Sequence, residues 1–240
     1  LNPFVTARPR YLAALSLLLA GACGGGLAPL PLPTGMAPAT LNEAARWADS
    51  TRPGENRDLR FRWKFQDQHG SSAGGRGRAR LALPDSIRFD AAGPLGAGRA
   101  AAFVIGDSAI WAEPEKDVQK LVPNYPLVWA MLGVARPPEE GSSVKQFADG
   151  TITAWQFALG QDTVEYVRER GTIPRLIAEV RQGATRVGRV ETKIGPDGLP
   201  ISSRLIVAHP PSKLELTFYQ NAQARPFAPD TWTRPPAPEQ

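Results

Sequence analysis

The sequence predicts an α+β protein that is mainly β: one curved antiparallel sheet of about eleven strands, with two short helices against its apolar face. Three observations carry that expectation. Apolar and polar residues alternate along segment after segment, first at Leu59-Arg60-Phe61-Arg62-Trp63-Lys64-Phe65-Gln66, which turns one face of each strand to a core and the other to water. Prolines and glycines, 24 and 23 among 240 residues, are too many for a helical bundle. Only two segments carry helical spacing, so little helix is available to cover a broad sheet.

The chain opens with Arg8 and Arg10 ahead of an apolar run over 11–20, closed by Gly21-Ala22 and then Cys23. A positive start, a core of about ten apolar residues and a small-residue exit predict a secretory signal peptide over 1–22. The run is too short to cross a bilayer, which takes about 20 residues. Cys23 is the single cysteine of the chain, so no disulfide framework is available. Its setting, Ala20-Gly21-Ala22-Cys23, resembles the lipobox of bacterial lipoproteins, with Ala20 where leucine is usual. The resemblance implies lipidation of Cys23. Gly24 stands where an aspartate would mark retention at the inner membrane, which implies the periplasmic face of the outer membrane.

Residues 23–39 read as the lipidated N-terminus and a Pro/Gly-rich tether, uncharged and without a usable period. A domain is expected over 40–240. Thr40-Leu41-Asn42-Glu43 fits a capping box, and Leu41, Ala44, Ala45 and Ala48 follow at helical spacing. Strands are expected from Leu59, around 79–83 and 87–90, over 101–106, 108–113, 151–158, 162–169, 174–181 and 186–194, and around 205–207 and 214–218. The segment 124–134, Asn-Tyr-Pro-Leu-Val-Trp-Ala-Met-Leu-Gly-Val, is apolar enough for a second helix stopped near Gly133. The residues expected to face inward include Trp63, Phe65, Phe89, Trp111, Trp129 and Phe218. Pattern alone leaves two readings open: a packed core, or a concave aromatic pocket suited to an apolar ligand such as an acyl chain.

Charge and motifs exclude several function classes. The net charge of +5 comes from 28 basic and 23 acidic residues, too balanced to predict nucleic-acid binding. His69 lies in a turn and His209 ahead of two prolines, without the spacing of a metal-ligand pair. Ser142-Ser143-Val144-Lys145 has the Ser-x-x-Lys spacing but sits in an expected polar turn with no partner motif. Gly74-Gly75-Arg76-Gly77 lacks the Lys-Ser/Thr of a phosphate loop and is expected to be a hairpin. Glu139-Glu140 reads as a solvated pair. The expectation is no enzyme, no metal and no cofactor. Arg60/Arg62 and Arg76/Arg78/Arg80 read as the wet face of a sheet, with contact to anionic lipid or an acidic carrier as the second reading.

In element order the chain resembles the LolB family of outer-membrane lipoprotein receptors and, more broadly, the LolA/LolB fold. The residues that carry this are the lipobox at Cys23, the amphipathic helix, the strand Arg60–Phe65, the strand and loop Ile87 to Gly96 with Pro94-Leu95-Gly96, and Val128-Trp129-Ala130-Met131-Leu132-Gly133. The terminal strand Lys213 to Tyr219 and the aromatic tail near Trp232 complete it. The resemblance implies an unclosed antiparallel barrel over 40–240 whose helices lid an apolar cavity. It also implies a partner set: acyl chains of lipoproteins, a periplasmic LolA-like carrier and the outer membrane. Leu95 is implied to be an exposed tip that helps insert the cargo. Turn residues around it fit a projecting tip, and a leucine folded back on the sheet is the alternative. The Ala-rich stretch 97–102 and the insertion after 136 depart from the family, which keeps open an envelope-assembly lipoprotein that binds a protein partner without acyl transfer.

Overall fold

Alternation does build one sheet. The structure, a computed structural model, describes residues 30, 32–93, 98–116, 118 and 124–234. In chain order the elements are β1 (Ala37–Pro38), α1 (Leu41–Asp49), β2 (Arg57–Gln66), β3 (Ser72–Ala82), β4 (Ser86–Ala92), β5 (Arg99–Ile105) and β6 (Ser108–Glu113). Then come α2 (Tyr125–Ala130), β7 (Ser143–Ala148), β8 (Ile152–Leu159), β9 (Asp162–Glu169), β10 (Arg175–Gln182), β11 (Thr185–Ile194), β12 (Pro200–Val207) and β13 (Ser212–Gln223). All described residues but Leu30 belong to one unit, Leu32–Gln240.

The thirteen strands run in the order β1-β7-β8-β9-β10-β11-β12-β13-β2-β3-β4-β5-β6, every pair antiparallel. Most neighbours are hairpins; β13 against β2 joins the two ends of the domain. Among the described residues β1 and β6 are the edges, so the sheet stays open. One register row crosses the inner face from β8 to β2: Trp155, Tyr166, Ala178, Val190, Leu205, Leu214 and Phe65. The next row outward reads Gln156, Glu165, Glu179 and Arg189. One face is a hydrophobic core and the other polar, as a period of two requires.

Thirteen strands replace the expected eleven, and the two additions explain why they were hidden. β7 lies where Ser142 to Lys145 read as a polar turn. Val144 is buried inside while Phe147, three residues on and so of opposite parity, faces the other way, so no clean alternation survives. β1 is two residues of the expected tether. The Ala39 amide donates to the Val144 carbonyl at 3.0 Å, and Pro38, which has no N–H to offer, suits a sheet edge. A second correction concerns Gly74 to Gly77, which lies inside β3 rather than in a hairpin. The turn falls at 67–70, where Asp67 Oδ1 accepts the His69 and Ser71 amides.

The packed half of the domain sits under α1 and α2. Thr40 caps α1 as expected: Glu43 N–H donates to Thr40 Oγ1 at 3.2 Å and Thr40 N–H to Glu43 Oε2 at 2.8 Å. Ala44 and Ala48 are fully buried, and Trp47 stacks 5.6 Å from both Trp155 and Tyr166. The second helix is shorter than the expected 124–134. It ends at Ala130, and Gly133, at φ 80°, turns the chain in a conformation that favours glycine. Thr192 Oγ1 donates to the Ala130 carbonyl at 2.7 Å, tying α2 to β11. Tyr166 accepts the Arg136 amide at 3.1 Å, and burial pushes its hydroxyl pKa far up, so it stays a neutral core group.

Candidate binding cavity

The other half of the sheet, β2 to β6, is not filled by α2. An apolar cavity of about 850 Å³ lies between them, within the ~300–1,000 Å³ of small-molecule sites. Its wall is aromatic: Phe61 and Trp63 from β2, Phe89 from β4. Its floor is small. Ala91, Ala100, Ala102, Ala109 and Ala112 fall on neighbouring strands with their methyls towards the space, since Ala91 pairs with Ala100 and Ala102 with both Phe89 and Ala112. Tyr125, Val128 and Met131 close it from the α2 side, and Leu214 and Leu216 from β13. A run of alanines on one sheet face leaves volume that larger residues would occupy.

Glycines set the wall in place. Gly75 and Gly77 pair with Trp63 and Phe61. A Cβ on Gly75 would run into the Ala92 carbonyl, and one on Gly77 into the Phe61 ring. The bareness of Gly77 makes room for the Phe61 ring and that of Gly75 for the Ala92 carbonyl, to which Trp63 Nε1 donates across β3 at 3.2 Å. Phe61 is wedged edge-on between Phe89 at 6.4 Å and Phe218 at 5.7 Å. The wall is therefore preformed rather than collapsible.

Polar groups are sparse and sit at the margin. The lining includes Arg99, Glu115 and Arg234, the last 3.9 Å from Glu113. Tyr125 Oη accepts the Ala109 amide at 3.1 Å. Asn124, ahead of α2, has a buried Oδ1 with no hydrogen-bond partner. Neither His69 nor His209 is on the lining, and among the described residues no cluster of His, Cys, Asp or Glu could hold a metal.

Of the six aromatics expected around a cavity, Trp63, Phe89 and Trp111 line it. Trp111 does so at an edge. It pairs with Phe103, whose neighbour Arg88 belongs to the opposite face, and its Nε1 donates to the Trp232 carbonyl at 3.0 Å. Phe65, Trp129 and Phe218 are elsewhere. Trp129, on α2, is buried, donating to the Gly106 carbonyl at 2.7 Å with Arg136 over its ring. Phe218 backs Phe61, and Phe65 faces Leu214. Cys23 and Pro94-Leu95-Gly96 lie outside the described residues. The ends of that loop do not: Gly93 and Gly98 are both on the cavity lining, and the Gly93 amide donates to the Gly98 carbonyl at 3.1 Å. The alanine floor and the α2 contacts were not among the expected site residues.

Solved structures from three bacteria are similar to this chain. A domain from Vibrio parahaemolyticus, described as belonging to outer membrane lipoprotein sorting, is 9% identical and has a TM-score of 0.50; the likeness covers 79% of this chain and 94% of that one. The fold is shared with that domain. A LolA superfamily protein from Nitrosomonas europaea is similar at 10% identity and TM-score 0.46, over 82% of this chain and 98% of that one. A DUF1329 family protein from Desulfovibrio piger is similar at 9% identity and TM-score 0.47, over 80% and 95%. No family model and no curated protein matches the sequence. At such identities the likeness speaks for the fold alone.

Proposed function

We propose that this chain is an envelope lipoprotein of the LolB type. It is anchored through Cys23 to the periplasmic face of the outer membrane, takes the acyl chains of a lipoprotein from a soluble LolA-like carrier, and passes them to the bilayer. The observation that carries the reading is the preformed apolar cavity of about 850 Å³ in an open sheet. The shared fold with the Vibrio domain, named for outer membrane lipoprotein sorting, supports it.

The direction of transfer follows from burial. Each methylene removed from water gains about 0.8 kcal/mol. A cavity open on one side buries an acyl chain incompletely, whereas the bilayer buries it fully, so cargo moves towards the membrane without an energy source. Leu95, on the loop that leaves the cavity lining at Gly93 and returns at Gly98, would enter the headgroup region and shorten the aqueous gap. No bond is made or broken.

The test is a transfer assay. A fluorescent triacylated lipoprotein held by a LolA-type carrier is mixed with vesicles bearing this chain. Transfer that depends on the chain, and slows at least tenfold with Leu95→Glu while acyl binding is kept, supports the reading. Transfer indifferent to the chain overturns it.

A further inference from the structure

Charge on the wet face of the sheet is unevenly compensated. On β2 to β4 most arginines have acids: Arg78 forks onto Asp58, Arg80 meets Asp90 at 2.7 Å, and Arg88 meets Asp90 at 2.8 Å. One register row differs. Thr217, Arg62, Arg76, Ala92 and Arg99 are successive cross-strand partners on β13, β2, β3, β4 and β5. Arg62, Arg76 and Arg99 are all exposed, and none makes an ion pair among the described residues. Arg62 and Arg76 stand directly opposite each other, an arrangement that costs stability in a sheet. Exposed Lys64 extends the patch, since the Glu215 it faces is bridged to Lys213 at 3.0 Å.

This row lies at the cavity end of the sheet. Ala92 precedes Gly93, Arg99 follows Gly98, and Gly93, Gly98 and Arg99 all line the cavity. Beside Arg62, Tyr219 is 52% exposed, with the guanidinium 5.9 Å from its ring centroid. A row of exposed, unpaired cations with an exposed tyrosine beside it suits phosphate headgroups, and tyrosine favours a membrane–water interface. We propose that Arg62, Arg76 and Arg99 form a docking surface for an anionic lipid bilayer, which holds the cavity mouth against the membrane. The proposal does not depend on what the cavity carries.

The experiment is vesicle co-sedimentation of the chain from residue 24 onward, without lipid anchor. Phosphatidylcholine vesicles are compared with vesicles containing phosphatidylglycerol, and uptake of a fluorescent fatty acid is read in the same samples. At about fivefold per cation near an anionic surface, the double variant Arg62→Gln/Arg76→Gln, whose two positions lie off the cavity lining, should lose about 25-fold in partitioning onto anionic vesicles. Its fatty-acid uptake should be unchanged, and raised salt should weaken the parent's binding. Equal binding of parent and variant, or equal binding of the parent to neutral vesicles, overturns the assignment. Binding to neither vesicle overturns it too and leaves an acidic protein surface as the occupant. Lost uptake with intact vesicle binding would count against the acyl cavity and not against this surface.

Discussion

Ala102→Phe distinguishes a true cavity from a loosely drawn core. Ala102 is 6% exposed on the inner face of β5, opposite Phe89 on one side and Ala112 on the other, and it lines the cavity. A phenyl ring there would occupy space that an acyl chain needs. If it removes about 100 Å² of ligand burial at about 25 cal/mol per Å², binding weakens by about 2.5 kcal/mol, or about 70-fold. The same ring in a filled core would cost about 1–3 kcal/mol in overpacking, a fall of several degrees in Tm for a domain of this size. The two cases therefore separate in two assays: fluorescence titration with an environment-sensitive fatty acid, and thermal unfolding followed by circular dichroism. The expected result is weak binding with Tm unchanged or raised. Normal binding, or a Tm lowered by several degrees, would refute the reasoning, and Ala91→Phe one strand away repeats the test.

Further outcomes follow from the wall, the C-terminal segment and the ion pairs. Gly75→Ala places a methyl against the Ala92 carbonyl, and with no side chain free to yield it should cost about 2–3 kcal/mol in chemical denaturation. Trp232→Ala removes a ring stacked 5.0 Å from Phe103 and 5.7 Å from Phe227. It should cost about 2 kcal/mol and raise amide exchange over 224–234, while Arg88 still donates to the Thr231 and Thr233 carbonyls. The Arg78 guanidinium holds the Asp58 carboxyl below its ordinary 3.8. Its contribution is therefore present above that value and lost as pH falls through the lower folded-state value. Asp58→Asn should be less stable than the parent at neutral pH, and the two denaturation curves should converge in acid.

Much of the sheet was legible because its inner and outer faces meet different solvents. Leu59, Phe61 and Trp63 alternate with Arg60, Arg62 and Lys64, and the capping pair Thr40 and Glu43 marked the start of α1. β7 was illegible since Val144 and Phe147 serve opposite faces, and β1 since two residues carry no period. The cavity was half legible. Large aromatics announce a wall, but Trp129 announces a packed core with equal force, and only the position of α2 decides. The floor was silent for a physical reason: an alanine lining a void and an alanine in tight packing look alike in a sequence. The alternation of Ala100 and Ala102 with Phe103 and Arg99 was the available signal. Glycines 75 and 77 read as a turn because the close approach of the Ala92 carbonyl to one and of the Phe61 ring to the other is a tertiary fact.

The most direct measurement of the acyl-binding claim is calorimetric titration of the chain from residue 24 with a water-soluble diacylated peptide and, in parallel, the same peptide without its acyl chains. The account predicts saturable binding of the acylated form with a negative heat-capacity change, the mark of apolar burial, and none for the bare peptide. Equal binding of both forms, or no binding of either, would contradict it.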